Sequence, residues 1–81
     1  MLAETLHQLI AEGLPGARVE VTGADGVHFE ALVVSETFIG QPTLARHRQV
    51  YAILGARMGT EIHALSLQAL TPDEYAAQTA I

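Results

Sequence analysis

The chain has no cysteine and no lysine. Without a thiol it cannot carry a cysteine nucleophile, a CxxC redox pair or a cysteine-built zinc site. Nor can disulfides hold it together, which fits a reducing compartment. A domain of 81 residues buries only about three-fifths of its unfolded surface, so apolar packing must suffice, and the 49% hydrophobic content allows that. Its only cations are Arg18, Arg46, Arg48 and Arg57, against a net charge of −5. Duplex DNA is held largely by neutralising phosphates, so this composition argues against strong unaided binding. No apolar run approaches the roughly 20 residues of a membrane span. The N-terminal residues also lack the basic stretch and apolar core of a secretory leader. A single cytoplasmic domain over residues 1–81, with no membrane contact, is expected.

What is present is periodicity. Leu2, Leu6, Leu9 and Ile10 form an apolar stripe on a first helix, which Gly13 and then Pro15-Gly16 should stop. Ala17 to Thr22 alternates as a half-buried strand, with Val19 and Val21 on one face. Asp25-Gly26 signals a hairpin, because Gly supplies positive φ at little cost. The return strand covers Val27 to about Ser35, with Phe29, Ala31 and Val33 on its inner face. Gly40 and Pro42 mark a loop, and Thr43 is the expected N-cap of a second helix. Leu44, His47, Tyr51, Leu54 and Met58 give that helix a stripe, and Gly59-Thr60 should close it. A third strand is expected from Ile62 to Leu70, with Leu65 and Leu67 inward. Thr71-Pro72-Asp73-Glu74 opens a last helix reaching about Gln78. The order is α-β-β-α-β-α, which implies an α+β sandwich.

The motifs are specific as a set. Phe38, Gly40, Arg46, His47, Arg48, Val50 and Tyr51 are followed by His63-Ala64-Leu65 and Thr71-Pro72. Together they resemble the BolA family over nearly the whole chain. The short loop from Gly23 to Phe29 looks most like the bacterial branch that includes IbaG. The resemblance implies a fold similar to the class II KH arrangement, with order α-β-β-α-(α)-β-α. Its three-stranded mixed sheet has helices on one face, and its last strand runs parallel to one member of the hairpin. It also implies a non-enzymatic adaptor that pairs with a monothiol glutaredoxin around a shared [2Fe-2S] cluster, in iron–sulfur trafficking or an iron, redox or stress response. Glutathione and the partner would supply the thiolates, since this chain has none and would bind no cofactor alone. The alternative is a nucleic-acid-binding transcriptional regulator. The chain alone is expected to be a monomer or weak dimer.

On residue physics alone His63 is a strand-edge histidine bonded to a backbone carbonyl, because a lone histidine has no ligand spacing. The family's C-terminal cluster ligand falls on this position. The resemblance implies a second ligand in the hairpin loop, usually further upstream than His28. Those upstream places are Gly23, Ala24, Asp25 and Gly26 here. His28 ranks first because imidazole suits cluster iron better than carboxylate; Asp25, or no second ligand, are the alternatives. By strand alternation His28 and His63 start on opposite sides of the sheet. His47 reads as a packed residue of the helix stripe and His7 as surface. Arg46 and Arg48 flank the stripe with solvent-facing heads, and Arg57 lengthens that patch. The plain reading is a solvated face; the functional one is a docking surface for a partner or a nucleic acid. No P-loop, nucleophile elbow, HExxH motif or RNA-clamping GxxG loop occurs.

Overall fold

Strand alternation and helix capping set most of the elements. The computed structural model describes residues 1–80. Helix α1 (Ala3–Gly13) leads into strands β1 (Arg18–Thr22) and β2 (His28–Val34), then helix α2 (Thr43–Leu54), strand β3 (Ala64–Leu70) and helix α3 (Pro72–Thr79). Short 3-10 turns precede and follow α2, at Glu36–Phe38 and Gly55–Arg57. The sheet order is β1-β2-β3, with β1 antiparallel and β3 parallel to β2. This is the expected α+β fold with a mixed sheet.

The pleat register is also as expected. Phe29 pairs with Leu65, Ala31 with Leu67 and Val33 with Ala69, while Val19 and Val21 lie beside Val33 and Ala31. All eight therefore share one face, because side chains alternate with a period of two. Leu6 and Ile10 of α1 and Val50 and Leu54 of α2 pack there with no exposed surface. Truncating such a residue to alanine costs about 2–5 kcal/mol. The opposite face carries Glu20, Thr22, His28, Glu30, Ser66 and Gln68 in register. At one end of that face Arg18 stacks over the Tyr75 ring of α3, 5.2 Å from its centroid. No helix is long and apolar enough to cross a membrane among the described residues.

The second helix departs from its expected face. Leu44 is 61% exposed and Tyr51 37%, whereas Arg46, Val50 and Leu54 are buried at i, i+4 and i+8. The helix is turned because a charged residue, Arg46, occupies an inner position. His47 sits half-buried at the flank, edge-on to Tyr51 at 6.2 Å. The helix also ends earlier than expected. Gly55 takes φ +58° after Leu54, breaking α2 before Met58. Ile62 is fully buried ahead of β3, in a bridge with Met58. Two other signals resolve differently. Pro42, not Thr43, is the N-cap of α2, and α1 runs through Gly13. A Cβ at Gly13 would lie 2.7 Å from the Ile53 side chain, so this glycine permits α1 and α2 to approach.

Candidate functional site

His28 and His63 lie at the same end of the sheet. His28 is the first residue of β2 and pairs with Ala64, the first of β3. The carbonyl of Val27 accepts hydrogen bonds from the amides of His63 (3.1 Å) and Ala64 (3.4 Å). The main chains beside the two imidazoles are thus directly joined, and both residues are exposed. His63 precedes β3 in a bend, so the strict alternation that would put it opposite His28 does not govern it. A shallow groove of about 510 Å³ adjoins His28, between Thr22, Gly23 and Ala24 on one side and Glu30, Ala64 and Ser66 on the other.

The loop that presents His28 is built by Asp25 and Gly23. Asp25 Oδ1 accepts from the amides of Val27 (3.0 Å) and His28 (2.8 Å), and its Oδ2 lies 2.7 Å from His28 Nδ1. Bonds from the His28 amide, then the Val27 amide, then the His28 ring hold the Asp25 carboxyl well below its ordinary value. Asp25 thus shapes the loop that presents His28 and contacts its ring. An aspartate two and three residues ahead of two turn amides is the sequence signal for this arrangement. Gly23 is a packing requirement: a Cβ there would lie 2.3 Å from the Phe29 ring.

Among the described residues, no three histidine, cysteine or carboxylate side chains come together as a metal site. The donor set fits an iron–sulfur cluster only in part. Two imidazoles can replace thiolates on one iron, but the remaining ligands of such a cluster are thiolates, which this chain lacks.

The arginines divide. Arg46 does not reach solvent: its side chain is 11% exposed. Its Nε donates to the Gln41 carbonyl (2.8 Å) and its Nη1 to the Ala69 carbonyl (3.0 Å). Its Nη1 and Nη2 also bond the two Glu74 carboxylate oxygens, at 2.5 and 3.2 Å. Glu74 completes a capping box with Thr71 at the start of α3. The Arg46 guanidinium, followed by the Thr71 amide, lowers the Glu74 carboxyl to about 2. Arg46 is thus a structural clamp, and its head is not a docking group. Arg18 is paired with Glu20 at 2.7 Å. Among the described residues Arg48 and Arg57 are exposed and make no ion pair.

A family model described as BolA-like protein matches residues 4–74. Human BolA-like protein 2 is 38% identical over 80 residues, covering 94% of this chain and 92% of the relative. The DNA-binding transcriptional regulator BolA of Escherichia coli is 36% identical over 58 residues, covering 72% of this chain and 55% of the relative. A solved BolA homologue from Coxiella burnetii superposes with a TM-score of 0.82 at 50% identity, covering 93% of this chain and 96% of that one. Coverage of the curated relatives varies: the chain spans about half of the E. coli protein and 35% of human BolA-like protein 1.

Proposed function

The chain belongs to the BolA family, and from that membership and the site geometry we propose that it is a non-enzymatic cytoplasmic adaptor, pairing with a monothiol glutaredoxin around a shared [2Fe-2S] cluster. The observation that carries this reading is the pair of exposed imidazoles, His28 and His63, rising from hydrogen-bonded main chain at one end of the sheet. The chain supplies nitrogen ligands and no sulfur, so the partner cysteine and glutathione supply thiolates. An imidazole in place of thiolate removes negative charge from an iron and raises its reduction potential, which suits transfer or sensing.

The test is anaerobic assembly with a monothiol glutaredoxin and glutathione, followed by absorption and circular dichroism. His63→Ala should abolish the mixed-cluster spectrum while leaving the fold intact, because the side chain is exposed and packs little. His28→Ala should weaken or alter the spectrum. An unchanged spectrum in His63→Ala removes that residue from the site.

A second reading, nucleic-acid binding, is favoured by the name of the E. coli relative, a DNA-binding transcriptional regulator. The charge distribution opposes it: Arg18 and Arg46 are engaged by Glu20 and Glu74, which leaves Arg48 and Arg57 for phosphate.

A further inference from the structure

Asp25 does more than shape the hairpin. Its Oδ1 is anchored by two backbone amides, at 2.8 and 3.0 Å, and this fixes where Oδ2 falls, 2.7 Å from His28 Nδ1. An ionised carboxylate can only accept a hydrogen bond, so Nδ1 must carry the proton. A neutral imidazole protonated at Nδ1 has one remaining lone pair, on Nε2. We infer that Asp25 is a positioning residue: through His28 Nδ1 it fixes the ring's tautomer and orientation, so that Nε2 alone is presented to a metal. Histidines that bind metals commonly donate their other nitrogen to a carboxylate, and such partners fix tautomer and raise ligand basicity. The inference rests on the adaptor reading for the identity of the metal but not for the state of the ring.

Asp25→Asn tests it with little change of shape. The two backbone amides still require an oxygen acceptor, so the Asn oxygen faces them and its NH2 group faces Nδ1. Nδ1 must then accept, the proton moves to Nε2, and the ligating lone pair is lost. Ring 15N resonances of His28 in the free protein, at a pH where the ring is neutral, should report an Nδ1-protonated ring in the parent and an Nε2-protonated ring in D25N. On assembly with glutaredoxin and glutathione, D25N should hold the cluster about tenfold less tightly or worse. In a His28→Ala background the same substitution should add nothing, which separates action through His28 from a general loop defect.

The same tautomer in parent and D25N overturns the inference. So does a cluster insensitive to D25N, or one weakened equally without His28. If His63→Ala abolishes a cluster that D25N leaves untouched, the adaptor reading stands and the role of Asp25 falls. If the parent chain assembles no cluster, the adaptor reading fails, and the ring resonances still decide whether Asp25 sets His28.

Discussion

Arg46 of α2 and Glu74 of α3, 28 residues apart, form a two-point ion pair that closes one end of the molecule. The same guanidinium holds the Ala69 carbonyl at the end of β3 and the Gln41 carbonyl before α2. Four segments therefore depend on one side chain, and a planar fork with five donors is what allows it. It also explains how α2 tolerates a charge at an inner position: every partner is oriented, and Glu74 itself is half exposed.

Glu74→Gln should lower Tm by roughly 5–10 °C, read by thermal circular dichroism. Gln can keep the capping box with Thr71, so the loss isolates the ion pair. Arg46→Met should be worse, because the Gln41 and Ala69 carbonyls lose their donor as well. An unaltered Tm in Glu74→Gln would mean that the pair behaves as an ordinary surface contact.

Acid should destabilise the fold through Glu74. Its folded value is about 2 against an ordinary 4.5. Between those values the unfolded chain takes up a proton that the folded chain does not, so lowering the pH favours unfolding. The contribution is fully present above about pH 4.5 and is lost toward pH 2. Asp25, also held below its ordinary value, acts in the same direction. Urea midpoints across this range should fall less steeply in Glu74→Gln than in the parent.

Gly23→Ala should destabilise by about 1–3 kcal/mol, the usual cost of overpacking. Its Cβ would meet a Phe29 ring that is only 3% exposed and cannot swing away. Phe29→Leu in the same chain should recover part of the loss. Equal chemical denaturation curves for Gly23→Ala and the parent would show that the hairpin shifts freely at this point.

DNA binding by the isolated chain should be weak and indifferent to sequence. With Arg48 and Arg57 as the arginines outside any ion pair among the described residues, the slope of log affinity against log salt should be roughly −2, at about −0.9 per phosphate. Anisotropy titrations at several salt concentrations measure it. A steep slope or nanomolar selective binding would put the regulator reading first.

The inward faces of the strands were legible in the sequence because strand alternation is a local, period-two property, whereas the parallel pairing of β3 with β2 was implied only by the family resemblance. Val19, Phe29, Ala31, Val33 and Leu65 needed only the pattern of their neighbours to be placed on one face. The Thr71-Pro72 start of α3 was equally local, since a cap bonds residues three apart. His28 at the start of its strand was likewise local, whereas His63, expected inside the third strand, lies exposed in a bend before β3. The inner face of α2 was not legible. Its apolar pattern points to Leu44 and Tyr51, and burial of Arg46 becomes favourable only when Glu74 and the Ala69 carbonyl arrive from β3 and α3. Gly13 and Gly23 look like helix or turn punctuation, yet Ile53 and Phe29 make them close-packing positions. Local hydrogen bonding and side-chain period thus fixed the elements. Which residues lose water, and which charges find partners, depended on segments distant in the chain, and that was decided only by tertiary structure.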